Sequence, residues 1–343
     1  MRPGILDERG IKFLGYAGKV SAQMPLFYNP AMQINRDMAV LLLKAWGEEE
    51  LQVCDPLAGT GIRSLRFLKE CAKQIRRVDA NDVAPSFMAS MKWNIKRNGV
   101  ASSRISISSQ EASVFLLQSS GYDYIEIDPF GSPNPFLDAA IRRLSRRGML
   151  AVTATDTAAL AGTYPAVCKR KYWADPLHQV WMHEVGVRIL IRKVQLIASQ
   201  YDRGLRPVLS YADQHYVRVF FRSQKGKSSA DEVLALHGAW RGAGPMWLGD
   251  LWDESILRKM RVPNDWTDAA RLIEVLHGEA SVPIVGFHDI HDLASRHRQA
   301  SLPRMDVMFA RLKSKGYRAA RTHFSGVGIR TDADEDVFIR LMQ

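Results

Sequence analysis

Two strand-like runs, Pro207–Tyr211 and Tyr216–Phe221, are separated only by Ala212–His215, and that gap constrains the fold more than any other feature. Four residues cannot hold a crossover helix, so these two strands must run antiparallel. The chain before them follows another pattern. From Leu51 onward, short apolar runs alternate with amphipathic segments. This predicts strands over Leu51–Asp55, Arg77–Asp82, Ile105–Ser109, Tyr122–Asp128 and Gly148–Thr155. Helices are predicted between them over Ile62–Gln74, Ser86–Arg97 and Pro135–Arg146, with another over Asp37–Trp46 ahead of the first strand. Such alternation predicts an α/β chain whose five strands are parallel and whose sheet closes on an antiparallel hairpin. His178–Tyr201 forms a long segment after the fifth strand, Ser223–Ala230 reads as a flexible loop, and Gly244–Gly249 as a short extra strand.

A chain of 343 residues is long for one core, and two domains are expected. The pattern changes after Trp252, which sets the expected units at 1–252 and 253–343. The second is a smaller α+β unit with helices over Asp265–Leu276 and Pro303–Lys315. The net charge of +11 favours a polyanionic partner, although charge alone does not separate RNA from DNA or a membrane surface. Arg296–Arg330 concentrates that charge, with nine Lys or Arg against one acid, Asp306, and is expected to form a phosphate-contacting stripe. The three cysteines form no C-x-x-C pair, so neither a disulfide framework nor a metal site is expected. No segment approaches the roughly 18 apolar residues of a membrane span, and MRPGILDERG lacks the apolar core of a signal peptide. A cytoplasmic monomer is expected.

The segment Val53–Arg63 turns a first strand into a first helix through Leu57-Ala58-Gly59-Thr60-Gly61. Gly59 and Gly61 permit a tight turn and close approach of a ligand, although a purely structural turn fits that loop equally well. Asp82 ends the next strand about twenty residues on, where an acid accepts hydrogen bonds from ribose hydroxyls. Together these predict a nucleoside cofactor. Five parallel strands ending in a hairpin resemble the sheet of class I methyltransferases, which selects S-adenosylmethionine. Arg63 suits its carboxylate and Asp55 its ammonium. Glu111 and Ala112 follow the third strand, where an adenine edge is read, and a surface acid fits there as well.

Tyr124–Ile127 is an apolar strand that runs directly into Asp128-Pro129-Phe130-Gly131. This resembles the D/N-P-P-Y/F loop of methyltransferases that act on conjugated amino groups. A guanine N2 lone pair is delocalised into the ring and is a poor nucleophile. Acceptors on both its hydrogens, Asp128 Oδ and the Pro129 carbonyl, favour the pyramidal nitrogen, and stacking on Phe130 keeps it in line with the methyl group. Positioning of this kind is worth up to about 7–11 kcal/mol in ideal intramolecular cases.

Phe27-Tyr28-Asn29-Pro30, Asn35-Arg36-Asp37, Asp128–Pro133 and Thr153-Ala154-Thr155-Asp156 occur in order along the chain. His183–Arg188 and Arg321-Thr322-His323-Phe324-Ser325 follow. Together they resemble the tRNA guanine-26 N2-dimethyltransferase family. The resemblance implies a tRNA substrate and transfer of one, then two, methyl groups. It implies that Arg36 and Arg63 contact the methionine end, Asp82 the ribose, and that Phe27 and Phe130 sandwich the guanine beside the catalytic Asp128. For RNA contacts the candidates are Lys169, Arg170 and Lys171, which mix charge with aromatics, and Arg318, Arg321 and His323 of the C-terminal stripe. His183 and His323 are read as structural or RNA-contacting, because amine methylation needs no strong base. The chain departs from the family in lacking a cysteine cluster, having only Ser223–Ala243 after the hairpin. Two rivals share part of this pattern: an amino-methyltransferase acting on DNA adenine or protein glutamine, and a non-catalytic RNA-binding protein.

Overall fold

The computed structural model describes residues 3–16, 24–213, 215–298 and 302–343. The chain opens on a hairpin of β1 (Gly4–Glu8) and β2 (Ile11–Gly15) that the sequence reading did not anticipate. Arg9 and Gly10 form its two-residue turn with φ of 52° and 77°. Positive φ at both central positions matches the twist of the flanking strands, and Gly10 adopts it without a Cβ penalty.

After α1 (Gln33–Trp46) the alternation begins: β3 (Leu51–Asp55), α2 (Ile62–Glu70), β4 (Ile75–Asn81), α3 (Phe87–Arg97), β5 (Ile105–Ser108), α4 (Ala112–Gln118), β6 (Tyr122–Ile127) and α5 (Asn134–Arg143). Then follow β7 (Leu144–Ala154), the short α6 (Thr157–Leu160), α7 (Pro165–Tyr172) and α8 (Met182–Ser199). The hairpin of β8 (Arg203–Asp213) and β9 (Tyr216–Lys225) completes a seven-stranded sheet of order β5-β4-β3-β6-β7-β9-β8. The first five are parallel, β9 joins β7 antiparallel, and β8 pairs β9 antiparallel, as the short connection Gln214–His215 between them requires. Gln214 of that connection lies outside the described residues.

Strands buried on both faces read as continuous apolar runs. Ile125, Ile127, Leu150, Val152, Val219 and Phe221 are all fully enclosed. Each such side chain contributes about 1.5–3 kcal/mol on leaving water. The expected loop Ser223–Ala230 is instead the end of β9 and the start of α9 (Lys227–Leu234), whose Ser229, Ala230 and Val233 are buried. The small polar residues there fit beneath β8 rather than loosening the chain.

The remaining elements are β10 (His237–Trp240), β11 (Ala243–Trp247), α10 (Glu254–Leu257), α11 (Thr267–Ala280), β12 (His288–Asp289), α12 (Ile290–Arg296), α13 (Met305–Ser314), β13 (Ala319–Thr322), β14 (Ser325–Thr331) and α14 (Glu335–Met342). Packing does not change after Trp252, where the boundary was expected. Trp252, Ile256, Trp266, Leu276 and Phe287 share the core of the large sheet, and a separate cluster begins with Ile290, Leu293, Met308 and Phe338. The helices over 254–280 are therefore the last layer of the first unit. Beyond them the small sheet β12-β14-β13 carries the second core.

Candidate functional site

The carboxyl ends of β3, β4, β6 and β7 open onto a cavity of about 570 Å³ that brings together most of the residues singled out from sequence. Open α/β sheets bind ligands at this edge. A larger cavity, about 1250 Å³, lies around Arg146, Arg147 and Arg222 near the start of β7 and the end of β9, at the opposite edge of the sheet. It contains none of the glycines or acids of the predicted chemistry, so size does not identify the site.

Gly61 sits at φ 76° just before α2, and a Cβ there would lie 2.1 Å from Met91 Sδ. Only glycine allows that turn to close over α3. The Gly59 N–H donates to Asp82 Oδ2 at 2.7 Å and the Ala84 N–H to Oδ1 at 2.9 Å. Each oxygen keeps a further acceptor site. Burial raises the Asp82 carboxyl above its ordinary value, against the lowering effect of those two N–H groups. Asn81 was missed by the sequence reading: its amide bonds Pro56 and Gln110 and pins the loops after β3 and β5 together. Val83, also missed, lines the cavity with 71% of its surface exposed.

Under the reaction loop lies a chain of buried charges. Arg218 of β9 grips Glu126 of β6 through both guanidinium ends and donates to Thr153 Oγ1 at 2.7 Å. Tyr124 adds a 2.7 Å bond to Glu126. Arg63 of α2 reaches Asp128 Oδ2, with its Nη1 3.7 Å from Glu126. That Nη1 is buried yet has no hydrogen-bond partner among the described residues. Burial drives Glu126 up, and Arg218 and Arg63 outweigh it, holding the carboxyl below its ordinary value. Asp55 accepts from Ser64 at 2.7 Å. There burial wins over Arg63 and pushes the carboxyl up to about 7.

The Asp128-Pro129-Phe130-Gly131 loop is tied to the end of β7. Gly131 N–H donates to Thr155 Oγ1 at 2.6 Å, and Thr155 N–H to the Gly131 carbonyl at 2.9 Å. Asp156 then binds Tyr172 of α7 at 2.5 Å, whose hydroxyl also lies 3.1 Å from Ser132 Oγ. This fixes α7, and with it Lys169, Arg170 and Lys171, beside the loop. All three are exposed, while Lys169 faces Asp175 and Lys171 faces Asp156. Phe27 and Phe130 meet at the cavity mouth, but not as a sandwich. Their rings touch edge to face with centroids 4.1 Å apart, whereas a base between them needs two stacking distances of about 3.5 Å. The rings must separate to admit one.

Other expectations are corrected. Arg36 lines the cavity, yet its guanidinium is bonded to Glu8 at two positions and to the Asn29 carbonyl at 3.1 Å. As arranged, it braces the amino-terminal hairpin, and Arg63 holds the spare donor. Glu111 caps α4, accepting the Val114 N–H at 2.9 Å, and neither it nor Ala112 lines the cavity. His323 has no ring nitrogen left to read RNA: Nδ1 meets Glu279, and Nε2 accepts the Ala212 N–H at 3.3 Å. The basic stripe Arg296–Arg330 is not one surface. Arg330 is fully buried, Arg296 pairs with Asp292 and Glu335, and Arg318 pairs with Asp332. Arg321 remains exposed without an acidic partner among the described residues, whereas residues 299–301 lie outside them. Also among the described residues, no three His, Cys, Asp or Glu gather as a metal site requires, and no helix is long and apolar enough to cross a membrane.

Comparison with known proteins follows the same lines. The family described as TRM, N2,N2-dimethylguanosine tRNA methyltransferase, matches residues 8–241 and 235–343. The tRNA (guanine(26)-N(2)/guanine(27)-N(2))-dimethyltransferase of Aquifex aeolicus is 34% identical, over 94% of this chain and 91% of its own. The tRNA (guanine(26)-N(2))-dimethyltransferase of Methanothermobacter thermautotrophicus is 36% identical, over 94% and 95%. Among solved structures, Trm1 from Pyrococcus horikoshii with S-adenosyl-L-methionine superposes with a TM-score of 0.91 at 33% identity, covering 99% of each chain.

Proposed function

The chain belongs to the N2,N2-dimethylguanosine tRNA methyltransferase family, and we propose that it uses S-adenosyl-L-methionine to place one, then two, methyl groups on the exocyclic N2 of guanine 26 in tRNA. The observation that carries this reading is the meeting, in one cavity, of the Asp128 loop, the Asp82 ribose acid and a buried arginine with an unused donor. The donor set fits the cofactor. Asp82 has acceptor capacity left for two ribose hydroxyls, Val83 offers an exposed apolar contact to an adenine, and Arg63 Nη1 suits a carboxylate. Asp55 faces the same space for an ammonium. When bound, the cofactor supplies an electrophilic methyl group on a sulfonium that leaves as a neutral thioether.

The protein's own part is positioning. Asp128 Oδ1 and the Pro129 carbonyl take the two hydrogens of the amino group and turn its lone pair toward the methyl carbon. Phe27 and Phe130 part to hold the extruded base, at a few kcal/mol of unstacking. The nitrogen gives up a proton to water as the new N–C bond is completed, so no strong base is needed. Exposed cations, Arg321 and the α7 cluster, contact phosphates and set the position of the tRNA without reading its bases. Mass spectrometry of nucleosides from tRNA incubated with the protein and labelled cofactor tests the reading. Labelled N2-methyl- and N2,N2-dimethylguanosine at position 26 are expected. Label on adenine, on protein, or nowhere would refute it.

A further inference from the structure

A third cavity, about 220 Å³, lies beside the 570 Å³ cavity and shares Tyr216 with it. Thr155 lines the larger of these two and Thr157 the smaller, so the start of the segment after β7 runs along both. A single ordered water needs only about 10–15 Å³, so this space accommodates a planar ring. Its apolar surface comes from Leu160 and Ala161, from Val217 of β9 and from Phe324 of the β13–β14 turn. The polar groups are few and placed. His183 of α8 has no hydrogen-bond partner among the described residues and is only partly exposed. Asp213 accepts from Tyr216 at 3.3 Å through Oδ2. His323 forms a fixed wall, both of its ring nitrogens being used and its ring lying 3.8 Å from that of Phe324.

We propose that this cavity receives a nucleobase adjacent in sequence to the target guanine, with His183 and Asp213 reading its polar edge. The inference rests on the tRNA reading above. A strand whose guanine is drawn out of its stack brings its neighbour within one backbone step of the same wall, and that neighbour has lost its stacking partner. An apolar slot with two polar groups at its rim is what such a base requires. Burial, followed by the nearby His323, lowers the His183 imidazole below its ordinary value. It is therefore neutral near pH 7, offering one donor and one acceptor. Burial raises the Asp213 carboxyl. Neither residue belongs to the cofactor or amine machinery, so the slot discriminates sequence without touching the transfer itself.

The test is steady-state methylation of tRNA transcripts in which the nucleotides on either side of the target guanine are varied, using the full chain. Wild type is expected to separate the best from the worst flanking base by about tenfold or more in kcat/KM, as site-built hydrogen bonds discriminate. His183→Ala should shrink that ratio to within about twofold and raise KM for tRNA, leaving cofactor affinity unchanged. Ala161→Phe, which fills the slot, should do the same in a protein whose melting curve confirms folding. Transfer by wild type without flanking preference, or an unchanged ratio in both variants, overturns this proposal alone. Absence of any transfer to tRNA overturns the functional reading, and the proposal falls with it.

Discussion

Beneath the reaction loop Arg218 clasps Glu126 inside the large sheet, and at the joint with the small sheet Arg330 clasps Glu184 and Glu279. All five side chains are excluded from water. The two clusters differ in how completely they are bonded. At the joint Arg330 also donates to the carbonyls of Ile284 and Gly286, Arg188 closes Glu184, and Thr322 and His323 close Glu279. None of its buried side-chain atoms is left over among the described residues. At the cavity Thr60 Oγ1 and Arg63 Nη1, and beneath it Asn35 Oδ1 and Arg218 Nε, lack partners among the described residues. Buried polar groups are normally satisfied, so an unused donor that lines the cavity, Arg63 Nη1, is free to meet a ligand. The joint uses its charges to hold two units in one geometry. The site uses the same residue types to remain ready for a ligand.

Removing the central cation should affect the joint most. Arg330→Met leaves two buried carboxylates without their shared partner, and breaking a buried pair costs about 3–5 kcal/mol. Denaturant unfolding should show that loss; a change below about 1 kcal/mol would mean the joint is not a structural clamp. Asp128→Ala should do the reverse, cutting turnover by at least about a hundredfold, the scale on which misplacing a reacting group is felt. Its cofactor affinity should stay within a few-fold of wild type, and Asp128→Asn, which keeps an acceptor for Arg63, should lose turnover with an unfolding midpoint near wild type. Retained turnover would remove the amine-positioning role.

Acid and base should separate the clusters by sign. Burial raises Glu184, but Arg330 and Arg188 outweigh it and bring the carboxyl down to about 2. Its contribution is therefore present at neutral pH and lost as pH falls from about 4.5 toward 2. Asp55 sits at about 7 against an ordinary 3.8. Its contribution is present below pH 4 and lost as pH rises through 7. Unfolding free energies over pH 3 to 8 should show a shallower acid-side slope in Glu184→Gln and a changed slope between 4 and 7 in Asp55→Asn, relative to wild type. Identical slopes in wild type and Asp55→Asn would show that the buried acid does not titrate there.

The smallest effect concerns a residue near Arg330 on the same hairpin. Arg321→Ala should flatten the dependence of tRNA affinity on salt by up to about 0.9 in logarithmic slope. Arg318→Ala should do less, because Asp332 already occupies that side chain. Equal slopes for Arg321→Ala and wild type would mean that the exposed cation faces only solvent.

The features legible in the sequence were local ones. The glycines of the first loop, the acid just after β4 and the Asp128 loop each announce themselves by position relative to a strand. The hairpin was legible because four residues permit only one geometry. The ion clusters depend on partners far apart in sequence, such as Glu8 with Arg66 or Glu126 with Arg218, 92 residues away. A signal was present nonetheless: Glu126 in Tyr-Ile-Glu-Ile and Arg218 in Tyr-Val-Arg-Val-Phe-Phe are single charges inside apolar strand runs. Two such interruptions in a sheet covered on both faces must find each other. The C-terminal stripe misled for the opposite reason, since counting charges along the chain ignores which of them fold inward.

Arg330 also sets a schedule. It follows Glu184 by 146 residues, and at about 5–20 residues per second of synthesis that interval lasts roughly 7–30 s. During it, α8 can lie against the growing sheet only with a carboxylate held by Arg188 alone. The buried joint is thus completed almost last, and the time a nascent chain spends with Glu184 lacking its second cation is fixed by where in the sequence Arg330 is encoded.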